Sequence, residues 1–160
     1  MEASVALREV IEREASPHAR RAALVMLLLS LLGLSDALYV AQAAATGRTM
    51  YCILFDGCNV VTQSPYGRFY GAPLSFLGVL FYVCSIGLSG LLLFDPLSRG
   101  LRVGALILGA VGVGYSAFSM FLQIRYIHAL CSYCLISAVV TVLLLVTAGW
   151  HYTRTRRAPA

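Results

Sequence analysis

Four runs of apolar residues, separated by short polar breaks, order the whole chain. They extend from about 22 to 45, 74 to 94, 103 to 124 and 130 to 150. An α-helix rises ~1.5 Å per residue, so about 20 apolar residues cross the ~30 Å hydrocarbon layer of a bilayer. Each run therefore predicts a membrane-spanning helix. The breaks hold turn formers: TGRT at 46–49, SPYG at 64–67, DPLSRG at 95–100 and RYIH at 125–128. The expected fold is an all-α integral membrane protein, a four-transmembrane-helix bundle with a capping loop and a short helix on one face.

The pattern also divides the chain. Residues 1–21 form a polar N-terminal segment, 22–150 the membrane domain with a long loop at 46–73, and 151–160 a polar tail. Leu7, Val10 and Ile11 recur at helical spacing and predict a short surface helix. SPHARR then reads as a fresh helix start, with Ser16 as N-cap and Pro17 in the first turn. A cleaved signal peptide is not expected, because the leading segment is too long and acidic and the apolar run too long.

Composition agrees with the pattern. Hydrophobic residues make up 59%, charged residues 12%, and the mean hydropathy is +0.81. Soluble domains are about a quarter charged, so that class is excluded. All 12 basic residues are arginine and the net charge is +5, but their placement reflects a bilayer rather than nucleic acid. Arg8, Arg13, Arg20, Arg21, Arg99, Arg102, Arg154, Arg156 and Arg157 fall on one side of the predicted spans, and Arg48, Arg68 and Arg125 on the other. The positive-inside rule assigns the larger group, and both termini, to the cytoplasm. The long loop and the RYIH turn then face a periplasm or an equivalent oxidising lumen.

That orientation gives the cysteines meaning, since thiols pair in oxidising compartments. Cys52 and Cys58 stand in the long loop, while Cys131 and Cys134 form CSYC at the start of the last span. Counting back about 20 residues from Trp150 places CSYC at the outer rim of the bilayer. Positions i and i+3 share a helix face, so the two sulfurs of CSYC can bond. The helix N-terminus is expected to lower the pKa of Cys131. A dithiol at the lipid edge can hand two electrons to a quinone. The loop pair, expected to be mobile, can take electrons from a soluble protein and exchange with CSYC through a mixed disulfide. Two structural disulfides or a four-thiolate zinc site are the alternatives, although CILFDGC is wider than zinc spacing favours, and no metal is expected.

CILFDGC, the following GCNVVTQSPYGRFYGAPLSFLG and CSYC resemble bacterial homologues of vitamin K epoxide reductase, over roughly Ala22 to Trp150. The resemblance implies that Cys134 meets a quinone and Cys131 exchanges with the loop. It further implies that Cys58 is the shuttle that attacks Cys131, that Cys52 receives electrons from a separate thioredoxin-like protein, and that Ser64 lies near the shuttle. The segment after Cys58 is implied to form a short helix capping the bundle mouth. The chain reads LISAVV after CSYC, without the tyrosine that family members acting on the vitamin carry there. That points to a quinone (ubiquinone or menaquinone) as acceptor in a bacterial inner membrane rather than to an epoxide. Reduction of vitamin K epoxide, and a disulfide-stapled membrane scaffold, are the rival readings.

A few other residues bear on chemistry. Asp36 lies inside the first span, where an acid is a functional candidate; it can take a proton from a thiol, or simply bond Tyr39. Gln123 and Met120 close the outer end of the third span and are placed against the quinone, with an interhelical hydrogen bond as the alternative for Gln123. His128 can relay protons or be merely solvated. Cys84 reads as packing, Arg68 as a headgroup or cap contact, and the small residues of the third span as close helix packing.

Overall fold

The computed structural model describes the backbone of residues 2–52, 57–69 and 72–155, and side chains from 17 onward within these stretches except at 66, 68, 69, 72 and 73. The tail beyond Thr155, with Arg156 and Arg157, and the Arg68 side chain lie outside the described residues. Five α-helices follow in order: α1 (Glu2–Thr46), α2 (Cys58–Gln63), α3 (Ser75–Phe94), α4 (Arg99–Leu122) and α5 (Ser132–Thr155). All but α2 are long and apolar enough to cross a membrane, α1 from Pro17 onward. A 3-10 turn (Pro65–Gly67) and a two-stranded hairpin (Arg68–Phe69 with Ala72–Pro73) complete the loop.

One boundary departs from expectation. Helix α1 does not restart at Ser16 but runs through Pro17 without interruption. Proline there removes one intrahelical bond, and the flanking alanines, glutamates and arginines are strong enough helix formers to carry the chain across the gap.

Contacts between the spans show the bundle order. Ser30 bonds Ser85 at 2.7 Å, and the Tyr82 ring occupies the space a side chain at Gly33 would need. Helices α1 and α3 are therefore antiparallel neighbours. Arg102 donates to Thr155 Oγ1 (2.7 Å), Ser116 pairs with Thr141 (3.1 Å), and a Cβ on Gly109 would lie 3.1 Å from Leu145 Cα. Helices α4 and α5 thus also run antiparallel, and small residues set their close approach. The core gathers around Tyr82, Leu92 and Leu144. Outward positions stay apolar: Leu32, Ile107 and Val146 each expose at least 60% of their surface. A soluble bundle would carry charge there; here the outer surface suits lipid. Helix α3 touches α4 less than either touches its other neighbour, so this is the thin side of the bundle.

Candidate functional site

The four cysteines of the two predicted pairs meet at the end of the bundle away from the termini. Cys58 and Cys131 are buried in one apolar cluster with Val40, Met50 and Val61, and Cys52 and Cys134 pack against it. Cys52 is in hydrogen-bonding contact with Cys58, Cys58 with Cys131, and Cys131 with Cys134. The sulfurs form one file.

Gly57 makes the middle link. It precedes α2, and a Cβ there would sit 2.5 Å from the Leu130 carbonyl oxygen and 2.8 Å from the Leu130 nitrogen. Only glycine lets α2 rest on the backbone that leads into Cys131. Helix α2 therefore begins with Cys58 beside Cys131.

Cys131 is delivered by an irregular connection. Helix α4 ends in a π-helical turn, Gln123–Ile127, and His128 then takes a left-handed conformation (φ 54°). Gln123, buried within this turn, accepts the Cys131 N–H at 2.8 Å and donates to Ser119 Oγ at 3.3 Å. It also reaches Cys134. The Cys131 carbonyl takes the first helical bond of α5, from Leu135 N (3.1 Å), and its sulfur accepts the Cys134 N–H at 3.4 Å. Cys131 is thus the N-cap of α5, with sulfur in the place of the usual oxygen. The expected lowering of its pKa is reversed: the hydrogen bond with Cys134, and after it burial, push the Cys131 thiol up.

The Cys52 segment is fixed by side chains adjoining the other cysteines. Asn59, next to Cys58, grips Met50 at both ends, accepting from its N–H (2.7 Å) and donating to its carbonyl (3.1 Å). Tyr133, inside CSYC, donates to the Tyr51 carbonyl at 2.7 Å. The segment expected to be mobile is held at Met50 and Tyr51, and Cys58 is buried rather than water-exposed. Burial, and after it the hydrogen bond with Cys58, push the Cys52 thiol up.

Below the file lies a cavity of about 410 Å³, walled by residues such as Phe81, Leu108, Val111, Asp36, Ser75 and Cys134. Of the four clustered cysteines Cys134 alone lines it. Leu80 and Val111 line it too while each exposing 60% of their surface, so it opens laterally between α3 and α4. A second chamber, about 70 Å³, lies under the α2 cap and also reaches Cys134. The larger space has the volume, apolar wall and few convergent polar groups of a small-molecule site. A quinone ring and the start of its tail fit those residues.

The predicted residues divide. Asp36 lies on the large-cavity wall with Cys134. Gln123 borders the smaller chamber, and Met120, half-buried, lines neither. The Ser64 hydroxyl donates to the Val61 carbonyl (2.7 Å) and accepts the Gly67 N–H (3.2 Å), shaping the turn that ends α2. Cys84, expected to pack between helices, is instead exposed and lines the large cavity. Sequence reasoning missed Gly57, Asn59, Ser75, Tyr115 and Tyr133. Two of these had a local signal, since Gly57 directly precedes Cys58 and Tyr133 stands between the cysteines of CSYC.

Residues 24–148 match the vitamin K epoxide reductase family, whose members are quinone-reducing thiol oxidoreductases. No curated protein matches the chain.

Proposed function

The chain belongs to the vitamin K epoxide reductase family, and from that premise we propose that it reoxidises a separate thioredoxin-like protein of the bacterial periplasm. Two electrons pass through its cysteine pairs to a quinone of the inner membrane, supporting disulfide bond formation. The observation that carries this reading is the unbroken file of thiols. It leads from half-buried Cys52, through buried Cys58 and Cys131, to Cys134 on the wall of an apolar cavity open to lipid.

The exchange steps follow from thiol chemistry. A partner thiolate attacks Cys52 of an oxidised Cys52–Cys58 pair; that S–S bond breaks and Cys58 takes the released electron pair. The partner's second thiolate then displaces Cys52, leaving the partner oxidised. Cys58 next attacks Cys131 of an oxidised Cys131–Cys134 pair, and Cys134 leaves. Cys52 closes on Cys58, restores the outer disulfide and releases Cys131. A bound quinone supplies the acceptor for two electrons and two protons. Cys134 is the thiol that meets it, and Cys131 closes on Cys134 to remake the inner disulfide. Asp36 on the same wall holds one proton in transit. Ser64 shapes the α2 turn that carries Cys58. The excess of arginines at the end bearing the termini supports placing those ends in the cytoplasm.

The test is quinone reduction by the purified chain with a reduced thioredoxin-like protein as electron source. The wild type turns over and Cys134→Ala does not; without reductant and with its Cys52–Cys58 pair oxidised, Cys134→Ala instead traps a Cys58–Cys131 disulfide, formed as the Cys131 thiolate attacks Cys58 and Cys52 leaves. Full turnover by Cys134→Ala refutes the scheme. Supplying vitamin K epoxide in place of quinone separates the two acceptors, and a scaffold would keep one fixed disulfide pairing under every redox condition.

A further inference from the structure

Among the described residues two buried side-chain polar atoms lack a hydrogen-bond partner, and one is Ser75 Oγ. Hydroxyls deeper in the spans find a carbonyl of their own helix: Ser30 bonds Met26 O (2.7 Å), Ser89 bonds Ser85 O (2.7 Å) and Thr141 bonds Ala138 O (2.8 Å). Ser75 opens α3, so no helical carbonyl lies one turn behind it. Leaving a hydroxyl unpaired away from water is unfavourable, and such groups normally find a partner.

Its position says what that partner is. Ser75, Tyr115, Ser119 and Cys134 line both the 410 Å³ cavity and the 70 Å³ chamber, so they form the wall between the two. The other hydroxyls of this wall have protein partners. Tyr115 donates to the Leu74 carbonyl (3.2 Å) and Ser119 accepts from Gln123 (3.3 Å). Farther along the large cavity, Tyr82 pairs with Ser137 (2.8 Å) and Ser116 with Thr141 (3.1 Å). The Ser75 hydroxyl is left over on the wall that carries the reactive thiol. A quinone presents only hydrogen-bond acceptors at its ring oxygens, and it gains negative charge there as electrons arrive. We propose that Ser75 Oγ donates a hydrogen bond to the quinone ring oxygen nearest Cys134, orienting the ring and stabilising the charge that develops on that oxygen. Tyr115, bonded to the neighbouring Leu74 carbonyl, pins the start of α3 so that the hydroxyl stays aimed at the wall. This rests on the proposed thiol–quinone activity and assigns it a residue in contact with the acceptor.

The experiment compares wild type, Ser75→Ala and Ser75→Thr in lipid nanodiscs, with decyl-ubiquinone as acceptor. One hydrogen bond to a charge-gaining oxygen predicts a roughly ten-fold fall in kcat/KM for Ser75→Ala, with partial rescue by Ser75→Thr. Oxidation of the partner by the Cys52–Cys58 disulfide, measured in a single turnover without quinone, stays at the wild-type rate. The melting temperature of Ser75→Ala stays level or rises, because the variant removes an unpaired buried hydroxyl. Wild-type kcat/KM in Ser75→Ala overturns the proposal, since water in the small chamber would then be the partner. Loss of melting temperature and of partner oxidation together overturns it in favour of a structural role. A wild type inert toward decyl-ubiquinone and a short-chain menaquinone alike defeats the thiol–quinone activity itself, and this assignment with it.

Discussion

Gly57→Ala is the sharpest test of how the two cysteine pairs are brought together. The added Cβ would lie 2.5 Å from the Leu130 carbonyl oxygen, 2.8 Å from its nitrogen and 3.0 Å from the Ala129 Cβ. Carbon and oxygen in van der Waals contact need about 3.3 Å, so α2 must move back by roughly 0.8 Å. It cannot slide sideways freely, because its own Asn59 is bonded at both ends to Met50. Disulfide exchange brings two sulfurs to ~2.05 Å with narrow angular limits. A misplacement of about 1 Å costs on the order of 100-fold in rate. The assay is formation of the Cys58–Cys131 mixed disulfide in a Cys134→Ala background, followed by alkylation and mass spectrometry. Gly87→Ala is the control, since a Cβ there meets nothing within 4 Å. Gly57→Ala should slow trapping by one to two orders of magnitude, and Gly87→Ala should leave it unchanged. Trapping at the wild-type rate in Gly57→Ala would mean that the close approach of α2 to residues 129–130 is not what aligns the sulfurs.

Three further outcomes follow from the same geometry. Tyr133→Phe removes the 2.7 Å bond to the Tyr51 carbonyl, worth about 0.5–1.5 kcal/mol; exchange between Cys52–Cys58 and Cys131 should slow by roughly 2- to 12-fold, with KM for quinone unchanged, as stopped-flow and steady-state assays will report. Gln123→Leu leaves the buried Cys131 N–H without its acceptor, which costs about 1–3 kcal/mol; the melting temperature of the reduced protein should fall, and that of Gln123→Glu, which keeps an acceptor oxygen, should fall less. Burial and Cys58 hold the proton on Cys52, so at any given pH less thiolate is present than on a free cysteine. Maleimide labelling of reduced Cys52 should therefore rise with pH through a midpoint above about 8.5, and a midpoint below that value would contradict the burial of its sulfur.

Much of this protein was legible along the chain. Lipid removes water as a partner for backbone groups, so helices of about 20 apolar residues are forced, and the four spans are found close to the expected positions. The spacing of Cys131 and Cys134 likewise fixed their nearness, because i and i+3 on a helix start share a face. The failures are tertiary. Pro17 looked like a helix start, yet the propensity of its neighbours carried α1 through it. Cys131 was expected to be acidified by the helix end, but its hydrogen bond with Cys134, and after it burial, push its thiol up instead. Cys84 was counted as packing because span length says nothing of which face meets a cavity.

By itself, then, the sequence determined a four-span membrane bundle with its thiols at one end, since hydropathy and helical periodicity are local properties. Only the tertiary structure decided that these thiols make one file rather than two separate pairs. That depends on a missing Cβ at Gly57, on Asn59 and Tyr133 gripping the backbone just before Cys52, and on Gln123 holding the Cys131 amide. Each is a contact between segments distant in the chain or across a turn, where no local pattern records which backbone group will need a partner.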